Sequence, residues 1–423
     1  MKGRRFLWLA ILLIAVFALV AAGCGGDDDE EAGEEPAATE PGGEAEGQTV
    51  KIVSDLPMQG SDRVQAEQMV EAIRFVIEQN GGMAGPHTIE FEPFDDTTAA
   101  AGKWDEAKCA ENARTYADSE DIVGVIGTYN SGCAAIQIPL LNEAGLAMVS
   151  PANTYVGLTK SGPGTEGGEP DKYYPTGDRN YVRVVASDDT QGVIGANYMQ
   201  DTMGVTKVFI LDDRELYGKG VADAFEAAAN DVGLEVVGHE GYNKDEPNYR
   251  ALMNKIKASG ADGIYIGAIS TNNGGQLVKD KVGVVGDNET VKLLVTDGMV
   301  QTSLFEESAD TLEGAFGTAP TAPADELTGE SQQFVQDLKD RLGVENLEVY
   351  TIYAAAAAQA MIDALGRSDG SRADVIAKVF ETNIDTVVGP MSFSETGDPE
   401  NAAQTVYRAE NGAWTFVETA SVG

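Results

Sequence analysis

Basic side chains are scarce in this 423-residue chain, which has 29 lysines and arginines against 69 aspartates and glutamates. The formal net charge is -40, and no cluster of basic residues follows Arg5. Proteins that bind nucleic acid need clustered lysine and arginine to neutralise phosphates. The composition therefore argues against nucleic acid as a partner, while the acidic surface favours solubility and says little about the fold.

Histidine is almost absent, and the motifs of common enzyme classes are missing. His87 and His239 are the only two histidines, and their turn-like surroundings predict surface positions. The sequence has no GxSxG elbow, no Walker-type phosphate loop and no CxxC or HExxH metal motif. Paired aspartates such as Asp95-Asp96 and Asp212-Asp213 could serve acid-base chemistry, but neighbours on a strand point to opposite faces. We therefore expect no enzyme activity, no bound metal and no cofactor.

One long apolar run stands at the start of the chain. Lys2, Arg4 and Arg5 precede an apolar segment from Phe6 to Ala22, and small residues lead on to Cys24. A basic start, an apolar core and small residues at a cleavage point are typical of a secretory signal peptide. An uncleaved membrane anchor is the alternative, because the run approaches the shortest length that spans a bilayer.

The segment before Cys24 resembles the lipobox of bacterial lipoproteins, in which the cysteine after the cleavage site receives lipid. The usual leucine three residues earlier is Ala21 here. The resemblance implies that residues 1–23 are a lipoprotein signal peptide and that Cys24 anchors the protein outside the cytoplasm. Residues 24–48 then form an acidic tether without lysine or arginine, a composition typical of disorder.

Short β-like runs alternate with helical patterns from residue 49 onward. TVKIVSD, TIEFEPF, IVGVIG and LAMVS predict a first set of strands, and YVRVVAS, KVFILDD, LEVVG, GIYIGAI and KLLVTDG predict a second. A polar, glycine-rich insertion from Ser161 to Asp178 separates the two sets. The alternation predicts an α/β fold of two doubly wound, parallel-sheet lobes with a cleft between them.

Polar residues follow several predicted strands at the sheet edge that would face this cleft. The stretch GTYNSGCAA, from Gly127 to Ala135, leaves one strand just before a helical pattern begins. A helix N-terminus presents unpaired N–H groups and favours an anion. Ser150 to Thr154, Asp212 to Tyr217 and Thr296-Asp297 follow other strands. Turn formation alone explains any one of them, but together they favour a ligand-binding lining.

The order of these segments resembles that of the leucine/isoleucine/valine-binding proteins, which are type I periplasmic binding proteins. The resemblance covers nearly everything after Gln48, and seven segments carry it: DLPMQG, FDD, IGTYNSGC, MVSPANT, DDRELYGKG, TDG and VGPMSFSETGD. It implies a solute-binding protein that passes its ligand to the membrane permease of an ABC importer. It also implies a monomer that needs no cofactor. A sensor that signals to a membrane receptor has the same fold, so the sequence leaves both partners open.

The resemblance implies two lobes joined by a three-crossing hinge. The crossings are expected near Val184 to Ser187, near Gly317 to Ala319 and near Val388 to Pro390. The lobe boundaries follow from them: lobe 1 comprises 49–184 plus 318–388, and lobe 2 comprises 185–317 plus 389–423. Helical patterns at Ser331 to Leu342 and Tyr353 to Leu365 explain why the chain returns to the first lobe.

Carried over residue by residue, the resemblance implies how an amino acid would be held. Ser131 and Thr154 would contact its α-carboxylate, with the backbone N–H and C=O groups of Asn153 alongside. Asp297 would face the α-ammonium group, and Tyr217 would close the second lobe over the ligand. Hydroxyls and helix amides suit a carboxylate, while one carboxylate on the opposite lobe suits an ammonium group.

The expected side-chain pocket departs from the family pattern. Gln59 to Val64, including Arg63, stand where the family often has an aromatic residue, and Ile269 to Asn273 stand where it has tyrosines. Arg63 would either recognise a second carboxylate or remain a solvated cation, and the solvated interpretation is slightly favoured. An aliphatic, branched-chain amino acid is the first choice of ligand. An amide, a short peptide or another carboxylate is the alternative.

Cysteine is limited to three positions, and lipid attachment at Cys24 would leave two. Cys109 and Cys133 lie on successive helical patterns that flank one predicted strand, and an exported protein with two such cysteines can pair them. A disulfide is the favoured interpretation, and two buried thiols are the alternative.

Overall fold

The computed structural model describes residues 47–420. The predicted signal peptide, Cys24 and all but the last two residues of the predicted tether lie outside the described residues. Within the described part, no helix is both long and apolar enough to cross a bilayer. The fold is the predicted one, with two α/β lobes built on two main sheets.

The first sheet is formed by the first part of the chain, where strands and helices alternate. The elements in chain order are β1 (Thr49–Leu56), α1 (Arg63–Gln79), β2 (Met83–Ala84), β3 (His87–Asp95), β4 (Thr97–Thr98), β5 (Lys103–Trp104), α2 (Glu106–Asp118), β6 (Ile122–Gly127), α3 (Ser131–Glu143), β7 (Ala147–Ser150) and β8 (Tyr181–Arg183). The sheet order is β2-β3-β1-β6-β7-β8, and β4 pairs with β5 in a separate hairpin. All neighbours in the sheet are parallel except β2 and β3.

The second sheet repeats this alternation. Its elements are α4 (Asp188–Asn197), β9 (Lys207–Asp212), α5 (Leu216–Val232), β10 (Glu235–Gly241), α6 (Arg250–Ser259), β11 (Gly263–Gly267), α7 (Gly274–Val284), β12 (Lys292–Val295), α8 (Ser303–Glu307) and β13 (Phe316–Ala319). The last part of the chain contains α9 (Glu330–Leu342), α10 (Thr351–Arg367), α11 (Arg372–Phe380), β14 (Asn383–Thr386), β15 (Gly389–Ser392), β16 (Gln404–Glu410) and β17 (Ala413–Ala420). The second sheet has the order β10-β9-β11-β12-β13-β16-β17. Only its last two strands are antiparallel to their neighbours.

The two sheets share one strand order over their parallel parts. β3-β1-β6-β7-β8 and β10-β9-β11-β12-β13 both place the first strand in the second position. Successive connections therefore leave in opposite directions beside β1 and beside β9. Ligands of open α/β sheets bind beyond the carboxyl ends of the strands at such a switch point.

Successive residues of a strand enter different cores, which shows that helices cover both faces of each sheet. In β1, Ile52 packs with α1 and α10, whereas Val53 packs with residues of α2 and α3. In β11, Ile264 and Ile266 enter one core and Tyr265 enters the other. This arrangement explains why the strands read as nearly continuous apolar runs.

Helix α10 brings the chain back to the first lobe and is almost wholly buried. Its run from Ala354 to Ala358 has no exposed surface. Because alanine side chains are small, α10 packs closely against α1 and over the first sheet. This packing fixes the position of Tyr350, which lies directly before the helix.

The third crossing between the lobes lies later than predicted. β14 and β15 pair as a hairpin, and Val387, Met391 and Phe393 belong to the first-lobe core. The chain joins the second sheet only at Gln404. The boundary at residue 389 was too early, because apolar residues beyond it are buried in the first lobe. Likewise, β13 keeps residues to Ala319 in the second sheet, past the expected boundary at 318.

Both histidines lie in strands, so the prediction of two surface histidines in turns was wrong. His87 begins β3 and is fully buried. Its Nε2 lies 3.2 Å from the carbonyl oxygen of Ser368, a residue 281 positions away. Gly85 and Pro86, which precede His87, suggest an exposed turn. In the structure, the segment around Ser368 covers the His87 side chain. His239 lies in β10 and is half-buried.

A buried ion pair ties the first lobe to the segment that follows β15. Arg183 has no exposed side-chain surface, and its Nε donates to Asp398 at 2.7 Å. Its Nη1 donates to the carbonyl oxygens of Asn153 and Tyr155. Burial works to raise the pKa of Asp398, but the charges of Arg183 and Lys160, together with the hydrogen bonds from Arg183 and Thr159, outweigh it and lower that pKa. The pair therefore holds the loop that carries Thr154.

We expect Asp398→Ala to lower the free energy of unfolding by about 3–5 kcal/mol, because it leaves the Arg183 charge buried and unpaired. The matched control is Glu67→Ala, which removes the exposed partner of Arg63 and should cost less than about 1 kcal/mol. Since the folded pKa of Asp398 is depressed, its contribution is present above the unfolded pKa and is lost as pH falls through the folded value. Urea unfolding across acidic pH measures both effects, and equal losses in the two variants would contradict the prediction.

Cys109 in α2 and Cys133 in α3 are joined by a disulfide, the pairing that the sequence favours. The two helices flank β6, and both cysteines are fully buried. Cys133 lies only two residues after Ser131, so the bond fixes the first turn of α3 against α2.

We expect the double substitution Cys109→Ala and Cys133→Ala to lower the free energy of unfolding by about 3 kcal/mol, the loop-closure value for a link of this length. Intact-mass measurement of the unmutated protein checks the bond itself. Reduction should add the mass of two hydrogen atoms, and an unchanged mass would show two thiols instead.

Candidate functional site

A small hollow of about 20 Å³ lies between the carboxyl ends of the two sheets. This volume holds little more than a water molecule, so the lobes are closed tightly on each other. Residues from both lobes line the hollow: Tyr129, Asn130, Ser131, Ala152, Thr154, Tyr217, Ile269, Asp297, Gly298 and Tyr350. The hollow is therefore at the switch point that the strand orders indicate.

The first-lobe wall is the start of α3 together with the loop after β7. Ser131 is the first residue of α3, and its Oγ accepts a 3.3 Å hydrogen bond from the backbone N–H of Tyr155. Within residues 47–420, the buried Oδ1 of Asn130 and Oγ1 of Thr154 have no hydrogen-bond partner. Buried polar atoms are rarely left unpaired. This wall therefore offers a hydroxyl and helix amides to a group in the hollow.

The second-lobe wall is centred on the carboxylate of Asp297, which lies two residues after the end of β12. Its Oδ1 accepts from Tyr217 Oη at 2.5 Å and from Gln191 Nε2 at 2.9 Å. Its Oδ2 accepts from Tyr350 Oη at 2.7 Å. Burial raises the pKa of Asp297, although these three donors work to lower it. A buried carboxylate of this kind favours a cation as a further partner.

A second carboxyl group lies buried near Asp297. Asp188, in the first turn of α4, has no exposed surface, and neither of its carboxyl oxygens has a hydrogen-bond partner in the described part of the chain. Burial and the nearby charge of Asp297 raise the pKa of Asp188 well above its usual value, although the hydroxyl of Thr154 lies close enough to work against this rise. Gln191, one turn further along α4, holds Asp297. The site thus contains two buried carboxyl groups close together, and the raised pKa favours the protonated form of Asp188.

Hydrogen bonds between aromatic and amide side chains connect the lobes beside the hollow. Tyr129 Oη accepts from Gln65 Nε2 of the first lobe at 2.7 Å and from Gln301 Nε2 of the second at 3.0 Å. Gln301 Nε2 also donates to Asp62 Oδ1 at 2.8 Å. The rings of Tyr129 and Tyr350 pack edge to face, 5.6 Å apart. The two hydrogen bonds from Gln301 exist only with the lobes together.

The structure brings together four of the six predicted binding residues, namely Ser131, Thr154, Tyr217 and Asp297. Asn153 lies behind the wall. Its backbone N–H donates to Ser150 and its carbonyl oxygen accepts from Arg183, so these groups are already occupied inside the first lobe. Its amide group donates to the Tyr129 carbonyl oxygen. The expected backbone contact from Asn153 is therefore not available in this structure.

Arg63 is not among the described residues that line the hollow. It is the first residue of α1, its side chain is 62% exposed, and it pairs with Glu67 one turn later. This is the solvated position that the sequence slightly favoured. No lysine or arginine is among the described lining residues, so the hollow offers no formal positive charge.

Two groups of potential metal ligands occur in the described part of the chain. One contains Asp96 with Cys109 and Cys133, but the disulfide occupies both sulfur atoms. The other contains Asp223, Glu226 and His239, which lie outside the hollow. Glu226 and Asp212 contact the two imidazole nitrogens and raise the pKa of His239, so these groups are already paired with one another.

Most of this chain matches a known protein family. The model of that family, described as periplasmic binding protein, matches residues 49–413. The chain belongs to this family. Its members are extracytoplasmic solute-binding proteins that work with ABC transporter permeases. Leu/Ile/Val-binding protein homolog 1 of Brucella abortus is 26% identical over 291 residues, which are 68% of this chain and 72% of that protein. An amino acid binding protein of Pseudomonas aeruginosa is 26% identical over 356 residues, 77% and 88% of the two chains.

Solved structures share the fold of this periplasmic binding protein. A leucine-binding protein of Thermotoga maritima superposes with a TM-score of 0.74 at 20% identity, covering 88% of this chain and 98% of that one. A branched-chain amino acid binding protein of Streptococcus pneumoniae, in complex with isoleucine, gives 0.72 at 18% identity, with 87% and 99% covered. A solute-binding protein of Rhodopseudomonas palustris, in complex with benzoate, gives 0.71 at 17% identity, with 88% and 96% covered.

Proposed function

We propose that this protein captures an amino acid, in the first place a branched-chain aliphatic one, between its lobes and delivers it to an ABC importer. One observation carries the proposal. The buried carboxylate of Asp297 on the second lobe lines the same hollow as the start of α3 and the hydroxyl of Thr154 on the first lobe, and this hydroxyl has no hydrogen-bond partner in residues 47–420. A zwitterion needs an acceptor at one end and donors at the other.

The carboxylate end of an amino acid fits the first-lobe wall. Helix amides and hydroxyls stabilise a carboxylate without adding a full charge, and Ser131 and Thr154 supply hydroxyls there. Bound in this way, the ligand would give Thr154 Oγ1 the partner that it lacks among the described residues. Without such donors, moving a carboxylate from water into the hollow would cost on the order of several kcal/mol, because a buried charge would have no hydrogen-bond partner.

The ammonium end fits the second-lobe wall. A carboxylate can accept about four hydrogen bonds, and three donors reach Asp297. The remaining capacity and the uncompensated charge suit an ammonium group. Because the two walls belong to different lobes, a ligand held at both ends favours a closed form in which the lobes stand somewhat further apart than they do here, and release requires a hinge motion.

The remaining lining is apolar or aromatic, which supports an aliphatic ligand side chain. Ala152, Ile269 and the rings of Tyr129 and Tyr350 border the hollow. Some structural neighbours bind benzoate or hydroxybenzoates. A ligand of that class carries a carboxylate and no amine, so it would leave Asp297 without a cationic partner. The acidic character of this site therefore favours amino acids over aromatic acids.

We expect Asp297→Ala to weaken the binding of L-leucine more than about tenfold, because an ammonium group left buried without a partner costs about 3 kcal/mol or more. Isothermal titration of the full-length protein against the common amino acids and benzoate checks this. The unmutated protein should bind a branched-chain amino acid and should not bind benzoate. If it binds benzoate and no amino acid, the proposed ligand class is wrong.

Thr154→Val tests the carboxylate end of the site with little effect expected on folding. Since Thr154 Oγ1 has no partner among the described residues, its removal should leave the melting temperature of the ligand-free protein unchanged or slightly higher. Affinity for L-leucine should still fall about tenfold, the value of one lost hydrogen bond to a charged group. Full affinity in Thr154→Val would remove Thr154 from the binding site.

The proposal includes a lipid anchor at Cys24 and a monomeric, membrane-tethered protein. The sequence pattern before Cys24 supports it, and residues 24–48 would act as the spacer. We expect Cys24→Ala to release the protein from the membrane fraction of expressing cells, because no lipid can then be attached. Mass spectrometry of the N-terminal peptide should show lipid on the unmutated Cys24. An unmodified Cys24 on a membrane-bound protein would favour an uncleaved anchor.

A further inference from the structure

A short hairpin of the first lobe, β4–β5, reaches the edge of the hollow. Thr97 pairs with Trp104 and Thr98 with Lys103. The turn of the hairpin rests on Gly60, where an added Cβ would lie 1.9 Å from the carbonyl oxygen of Gly102. This contact requires glycine at position 60. The hairpin is therefore anchored in its own lobe while its last two residues point toward the other.

The indole ring of Trp104 lies directly over the start of α3. A Cβ added to Gly132 would lie 2.5 Å from Cη2 of Trp104, so only glycine allows the ring to come this close. Gly132 follows Ser131, whose hydroxyl belongs to the first-lobe wall. Trp104 ends β5, and α2 begins only at Glu106, so the helix does not hold the Trp104 side chain, which extends across the cleft.

The other side of the indole ring meets the second lobe. Trp104 packs against a small apolar cluster of Tyr217, Val221 and Ile269, two of which line the hollow. Its Nε1 donates to Glu215 Oε2 at 3.2 Å. The ring thus spans both lobes and contacts residues of both that lie in or next to the lining of the hollow.

Lys103 adds a charged contact across the same gap. Its Nζ donates to Glu215 Oε1 at 3.1 Å and to Asn272 Oδ1. The side chains of Lys103 and Glu215 are only 17% and 15% exposed. Burial works to raise the pKa of Glu215, but Lys244 and Lys103 outweigh it and hold that pKa below its usual range. Glu215 is therefore an ionised second-lobe anchor for two adjacent first-lobe residues.

We propose that Trp104 is a ligand-enclosing residue, and that Lys103, Trp104 and Glu215 form an interlobe latch that controls how fast the ligand leaves. The inference rests on the proposed function, because it assumes that the ligand occupies the hollow beside Ser131 and Ile269. The latch contacts form only after closure, so they stabilise the bound state more than the encounter between ligand and open protein. Losses of such contacts change dissociation rates more than association rates.

We expect Trp104→Ala to raise the dissociation rate of L-leucine at least about tenfold, with a smaller change in the association rate. Trp104→Phe should recover part of the effect, because it restores an aromatic wall without the Nε1 donor. Lys103→Met should raise the dissociation rate by a smaller factor. The matched control is Lys292→Met, whose lysine pairs with Glu289 inside the second lobe. Rapid filtration with radiolabelled L-leucine measures the rates without using tryptophan fluorescence.

Melting temperatures of the ligand-free variants separate a latch from a general loss of stability. A latch predicts little change without ligand and a smaller ligand-induced increase in Trp104→Ala than in the unmutated protein. If Trp104→Ala releases L-leucine at the unmutated rate while Asp297→Ala abolishes binding, the latch is wrong and the proposed function stands.

If the unmutated protein binds no amino acid, the proposed function fails, and small-angle scattering of the ligand-free proteins then tests the latch alone. A latch predicts a larger radius of gyration for Trp104→Ala and Lys103→Met than for Lys292→Met and the unmutated protein. Equal radii would overturn it.

Discussion

A carboxylate buried between two lobes is the constraint on which the rest of this structure depends. Asp297 has little access to water, so its charge must be satisfied by protein groups or by a ligand. The three donors that reach it come from separate parts of the chain, with Gln191 and Tyr217 on the second lobe and Tyr350 on the first. The tyrosine from the first lobe can serve Asp297 only when the lobes are closed.

Closure is supported by more than this one carboxylate. Gln301 of the second lobe contacts Asp62 and Tyr129 of the first, and Glu215 contacts Lys103 and Trp104. When such polar contacts break, the separated groups form hydrogen bonds with water instead. The net free energy that each contact contributes to closure is therefore modest. The closed form is thus held by several weak contacts around one buried carboxylate, and a hinge motion can break them.

Most of the fold could be predicted because local patterns of apolar residues indicate the strands and helices. In β6 and α3, for example, an apolar run is followed by GTYNSGCAA and then by a helical pattern. Ser131, Thr154, Tyr217 and Asp297 were within reach for the same reason, since each follows the carboxyl end of a strand. Tyr350 and Asp188 were not, because no motif marks them. Packing of α10 brings Tyr350 to the hollow, and packing of α4 brings Asp188 close to Asp297. The late third crossing and the burial of His87 also depend on contacts between distant segments.

The bond between Cys109 and Cys133 has a consequence for the order of events during capture. It links the first turn of α3 to α2, and both helices belong to the first lobe. The backbone around Ser131 therefore keeps its conformation whether or not the second lobe is near. Under the proposed function, a solute would meet a preformed half-site on the first lobe and an incomplete one opposite. Binding to the first lobe would then precede the hinge motion that brings the second lobe over the ligand.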